Sequence, residues 1–213
     1  AMKDFNYAAS NSGSTAVGAF AMQNVTTGDR NAAFGKNTLN NCTTGSYNVA
    51  LGTYSGESIT TGTRNNVIGF DAMGGSSAIT GDRNQVIGQN AAHGLTSGSD
   101  NVFIGDTVAS AHTSGDYNIA IGNESMMGTV TGNHNVVVGR DGLRAITSGS
   151  YNVALGNDTN RVNTTGSNNV AIGHEALFNN TVSSNVGVGY RALKANTSGT
   201  DNTAVGKESL EAN

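Results

Sequence analysis

Three-residue apolar runs, each closed by a glycine, recur along the chain: Val49-Ala50-Leu51 before Gly52, Val102-Phe103-Ile104 before Gly105, Val170-Ala171-Ile172 before Gly173. The closing glycines are Gly18, Gly35, Gly52, Gly69, Gly88, Gly105, Gly122, Gly139, Gly156, Gly173, Gly189 and Gly206. They are spaced by 17 residues, apart from one interval of 19 and one of 16. A fixed period of this size marks a repeat architecture. The unit is too short for a helix pair and its apolar spacing is two rather than 3.6, so it predicts short strands and turns. With the closing glycine as position 0, position −1 is always apolar and position −3 is most often Val. A second apolar column at +4 (Met22, Leu39, Met73, Met126, Leu143, Leu177, Leu193, Leu210) predicts a second short strand. The expected fold is all-β: a parallel β-roll, or solenoid, of about twelve 17-residue coils with two short strands per coil. It spans residues 1–213 as one domain, with 1–13 as an irregular N-terminal cap or partial coil.

Between −3 and −1 stands a small or apolar residue: Ala33, Ala50, Ala120, Ala154, Ala171 and Ala204, with Phe103 as the bulky exception. A strand apolar on both faces is expected to be buried on both. We read the −3/−1 face as packing inside its own coil and the alanine column as the inter-chain face, where a second rod can approach closely. Chains are then expected to associate side by side, a three-fold bundle being the simplest closed arrangement. Asn holds position −4 in all units but the first, where Ser14 replaces it. In stacked coils these side chains can form an amide ladder. Two extra residues near Gly74-Gly75 and one missing near Ser183-Ser184 are expected to be absorbed in loops.

Composition sharpens this picture. Thirty glycines suit turns that need positive φ, and the absence of proline suits an unbroken backbone ladder. A net charge of −4 gives no polybasic footprint for nucleic acid or an acidic membrane surface. No apolar run approaches the roughly 18 residues of a membrane span, so neither nucleic acid nor membrane insertion is expected. Ala1-Met2 reads as a cloning remnant and the chain stops inside a repeat, so an excised segment of a longer fibre is expected.

Candidate chemistry is sparse. His93, His112, His134 and His174 fall in four different columns, so stacking does not gather them into a zinc site. No nucleophile–base pair is supported by spacing, and no catalytic residue or cofactor is expected. Cys42 at +7 shares a column with Val25, Ile59, Leu95 and Ile146 and reads as a filler. At +2 the carboxylates Glu124, Asp141, Asp158 and Glu175 follow one another on successive coils. A solvated acidic edge, partly offset by Arg140 and Arg191, is the simpler reading; a bound Ca²⁺ is the sharper one. At −5 a turn column of Arg30, Tyr47, Arg64, Arg83, Tyr117, His134 and Tyr151 could stack on the sugars of a surface glycan. It could equally brace turns along the rod or against a neighbouring chain.

The repeated NVAIG strand with SGSYN and TTGSN turns resembles the head repeats of trimeric autotransporter adhesins. The longer units, as in residues 169–183 and 202–213, are similar to repeats of phage and bacterial tail-fibre-like proteins. The resemblance covers residues 14–213. It implies a left-handed roll, a homotrimer, and a non-enzymatic role in an extracellular fibre, on a virion tail or a bacterial surface. Such fibres attach to a host through a cell-surface glycan or protein receptor. The alternative is a glycan-binding or ice-binding β-solenoid module.

Overall fold

The structure, a computed structural model, describes residues 13–212. The expected N-terminal cap lies, but for Gly13, outside the described residues. Twelve strands of three residues follow in order: β1 (Thr15–Val17), β2 (Ala32–Phe34), β3 (Val49–Leu51), β4 (Asn66–Ile68), β5 (Gln85–Ile87), β6 (Val102–Ile104), β7 (Ile119–Ile121), β8 (Val136–Val138), β9 (Val153–Leu155), β10 (Val170–Ile172), β11 (Val186–Val188) and β12 (Thr203–Val205). They form one parallel sheet in sequence order, each pairing with the next. Equivalent residues pair throughout, for example Val136 with Val153 and Val138 with Leu155. The register survives the long unit, where Val67 pairs with Val86, and the short one, where Ala171 pairs with Gly187. The chain is therefore a parallel β-solenoid of about eleven turns, roughly 17 residues each.

The strand's inward face is the opposite of the one expected. Every strand has its middle residue buried and its two outer residues exposed or half-exposed. Ala33, Ala50, Ala120, Ala154 and Ala171 are fully buried within a single chain, and Ala204 nearly so. None of the six can form an inter-chain face. Position −4 shares their side, and its asparagines are buried with them except the half-exposed Asn202 of the last coil. The reason is the thinness of the coil. Its interior receives the large side chains of +4 and +7 from the opposite wall, leaving room for only small ones from the strand. Sizes trade off accordingly: Ala120 accompanies Met126 and Ala33 accompanies Leu39, whereas Phe103 accompanies Ala109.

Apart from Leu210 in the last coil, the +4 column is buried as expected, but it is not a strand. Among the described residues each coil has one strand, and the only pairing outside the sheet is an isolated bridge between Ile59 and Ile79. Residues at +2 and +4 both take left-handed backbone, as in Glu124 (φ 54°) and Met126 (φ 52°), or Asp141 (φ 56°) and Leu143 (φ 45°). Alternating left-handed residues curl the chain into consecutive turns instead of extending it. Each such conformation costs a non-glycine residue about 1–2 kcal/mol. It is held by hydrogen bonds to the next coil, such as Met126 N–H to Gly142 O (3.1 Å) and Leu143 N–H to Thr159 O (3.0 Å).

Candidate functional site

Four polar columns and one apolar face make up the sites that the repeat can offer. The asparagines at −4 form a continuous buried ladder. The Asn118 side-chain oxygen accepts from the backbone N–H of Asn135 (2.9 Å) and from its amide (3.1 Å). The Asn118 amide in turn donates to Gly132 O (3.0 Å) and Asp116 O (3.2 Å). Each asparagine thus ties its own coil to the next and closes the turn beside it.

A second ladder, at −6, was not anticipated. Its members are Asp29, Ser46, Asp82, Ser99, Asp116, Asn133, Ser150 and Ser167, with relatives on other coils. The Asp116 carboxylate accepts from Ser99 N–H (2.8 Å), and the Asn133 side-chain oxygen accepts from Asp116 N–H (2.7 Å). This ladder reaches back to the preceding coil, whereas the −4 ladder reaches forward. The sequence signal was present in the recurrence of short oxygen-bearing residues one place before the −5 column.

The −5 column stacks on itself along the rod. Tyr117, His134 and Tyr151 form a tower with ring centroids 5.1 and 5.0 Å apart and planes within 2° and 10°. The guanidinium groups of Arg30 and Arg64 lie over the two sides of Tyr47, 5.1 and 5.7 Å from its centroid. Arg83 makes a two-pronged ion pair with Asp100 of the same column (2.6 and 2.7 Å). Both ring faces of Tyr47 and His134 are therefore occupied by neighbours in the column, and Tyr117 and Tyr151, at the ends of the tower, have one face covered each.

The acidic edge at +2 is interleaved with cations, several from the +5 column. Arg144 contacts both Glu124 (3.0 Å) and Asp141 (2.8 Å). Arg161 lies 3.4 Å from Asp158 and 3.8 Å from Asp141. Arg140 reaches Asp141 at 3.3 Å. Lys194 and Arg191 converge on Glu175 (2.8 and 2.7 Å). Their hydrogen bonds, that of Lys194 first, hold the Glu175 carboxyl below its ordinary range. The carboxylates that could have ligated Ca²⁺ thus face guanidinium and ammonium groups. Among the described residues no group of three or more His, Cys, Asp and Glu is placed to hold a metal ion.

The +7 column is interior. Cys42 is fully buried, and burial pushes its thiol up to about 11. The buried polar residues here reach a carbonyl two or three positions on: Cys42 to Gly45, His112 to Gly115 (2.9 Å), Asn163 to Gly166 (2.9 Å) and Asn180 to Val182 (2.8 Å). His112 packs edge-on against Phe103 (4.9 Å), and its Nδ1 has no partner. Burial pushes its pKa down to about 4.

A pH dependence follows. Above pH 6.5 the imidazole is neutral in both folded and unfolded chains. Below that value only the unfolded chain takes up a proton, so stability falls as pH drops from about 6.5 towards 4. The loss amounts to about 2 kcal/mol by pH 5. His112→Leu, which restores the residue of Leu95, should lose less melting temperature than wild type between pH 7.5 and pH 5. Parallel curves for the two proteins would exclude this role.

The apolar face is the outward −1 column, joined by apolar −3 residues except at Thr15, Thr203 and the hydrogen-bonded pair Asn66 and Gln85 (2.7 Å). Leu51 (49 % exposed), Ile68 (40 %), Ile87 (42 %), Ile121 (36 %) and Val138 (42 %) line up on β3, β4, β5, β7 and β8, with the half-buried Ile104 of β6 between them and Val49 and Ile119 beside them. At strand spacing the stripe is ~53 Å long and ~10 Å wide, on the order of 500 Å². Among the described residues no helix is long and apolar enough to cross a membrane. Comparison with protein-family models, curated proteins and solved structures finds no match for this chain.

Proposed function

We propose that this chain is a structural, non-enzymatic segment of a trimeric extracellular fibre, of the phage tail-fibre or surface-adhesin kind, that serves attachment to a host surface. The observation that carries this reading is the outward −3/−1 stripe. Its area matches the largest apolar patches that monomers carry, which are often functional, it runs the length of the rod, and burying it contributes about 25 cal/mol per Å². Three parallel rods meeting along this stripe would bury it on every chain, in a closed cyclic arrangement. The NVAIG units and their likeness to trimeric adhesin heads point to the same arrangement, with a left-handed roll. The stacked −5 column supports a shaft rather than a glycan platform, because sugars bind to ring faces and most of these faces are taken up within the chain.

The test is mass in solution. Light scattering should give three copies per particle for the wild-type chain. Ile87→Glu combined with Ile121→Glu should give one, with the far-ultraviolet circular dichroism of the roll retained. Two carboxylates would have to be desolvated on every chain, which costs several kcal/mol each. A wild-type monomer at micromolar concentration would overturn the reading.

A further inference from the structure

The interior of the rod is not uniform along its length. Its buried apolar residues form one contiguous cluster from Ala16 to Ala154 and a second, small one made of Ala171, Ala176, Leu177, Ala192, Leu193 and Ala204. The gap falls in the coil of residues 156–172. Between Ala154 and Ala171, the facing ends of the two clusters, the inward side chains are Thr159, Asn160, Asn163 and Asn169, all polar and fully buried. Asn160 takes the place held by Leu143 one coil before and Leu177 one coil after, with the same left-handed backbone (φ 47° against 45° and 53°). Neither its amide nitrogen nor its oxygen has a hydrogen-bond partner. From this coil onward the +7 column also changes, from Ile146 to Asn163, Asn180 and Asn196.

We propose that the coil of residues 156–172 is a built-in joint that divides the rod into two cooperative units, 13–155 and 173–212, the second opening while the first stays folded. In a solenoid each coil is stabilised only by itself and by its two neighbours, so cooperativity passes along the axis through coil-to-coil contacts. At the joint the apolar contribution to that coupling is interrupted, and an unpaired buried amide opposes closure. Backbone pairing and the −4 ladder continue across it, as in Val153 N–H to Asn169 O (2.8 Å) and the Asn169 amide to Asn152 (3.1 Å). Register is thereby kept, while the coupling is weakened. The unit beyond the joint contains only two large buried apolar side chains, Leu177 and Leu193, and belongs to the low-stability end of the fold. His112 is a contrasting case: it is also buried with an orphan nitrogen, yet Phe103, Val108 and Ala109 carry the core past it.

Hydrogen exchange followed by mass spectrometry on the full chain tests the proposal. Peptides from residues 173–212 should exchange together, roughly tenfold or more faster than those from 32–155, with the step inside residues 156–172. Asn160→Leu should slow the second block and erase the step. Asn160→Met, which places the side chain of Met126 there, should do the same if leucine proves too wide. A smooth gradient from the end of the rod, without a step at this coil, would overturn the proposal. So would a step that survives both substitutions.

Discussion

Asn118→Ala should destabilise the fold by roughly 2–5 kcal/mol, the loss expected when two buried backbone groups are left without partners. The groups are the N–H of Asn135 and the carbonyl of Gly132, which the Asn118 side chain joins at 2.9 and 3.0 Å. Both lie in a fully buried row, where water cannot replace the lost partner. For a chain of this length the change lowers the melting temperature by roughly 4–20 °C. Asn118→Ser supplies the internal check. In the first coil Ser14 already stands at this position, and its hydroxyl accepts from Asn31 N–H (3.0 Å). Serine should therefore recover the acceptor half of the link and leave Gly132 unpaired, giving an intermediate loss. Equal melting temperatures for the alanine and serine variants would show that the ladder works through packing rather than hydrogen bonding.

Gly139→Ala should lower stability by about 3 kcal/mol or more, because two costs coincide there. Its φ of +138° is a conformation that L side chains rarely adopt. An added methyl group would also run into the carbonyl oxygen of Gly156 on the next coil, with the carbonyl carbon only 2.5 Å away. That obstacle is backbone, held by the pairing of β8 and β9, so the coils would have to part. Gly142→Ala, three residues on, is the matched control. Its φ is not positive, the tightest contact is the tip of Val137, and Ala72, Ala176 and Ala192 occupy the same column elsewhere. A melting temperature within a few degrees of wild type is expected for Gly142→Ala. If the two variants melted together, the inter-coil contact at position 0 would not be the reason for the glycine column.

The period, the strand positions and the pairing register were legible because a solenoid repeats them, and each copy confirms the last. The direction of the strand was not. Val-Ala-Ile presents an apolar residue on either side, and hydrophobicity alone placed the larger ones inside. The deciding sign was Asn at −4, which shares a side with Ala at −2 and must be buried to serve as a ladder. The left-handed backbone of Met126 and Leu143 had no signal of its own, since long apolar residues disfavour that conformation and only the inter-coil bonds impose it. Of the candidate chemistry, the acidic column was visible. The cations facing it from +5, Arg144, Arg161 and Lys194, were not linked to it, because a turn of unknown shape lay between the two columns. The stacked tower at −5 was legible as a row of aromatic and cationic residues. That its members spend their faces on one another depended on the coil spacing being close to the thickness of a stacked ring.

The hydrogen bonds between coils run along the rod axis, from Val136 N–H to Asn152 O and from Val153 N–H to Asn169 O, while the covalent chain runs across it. Under a pulling force at the two ends, the load therefore falls on the outermost coil alone and not on all coils together. Coils would be shed one at a time, each releasing 17 residues, or ~58 Å of extended chain, for the ~5 Å it occupied in the rod. A single chain of this kind is a spool: compact at rest, and able to pay out to roughly ten times its length at modest force.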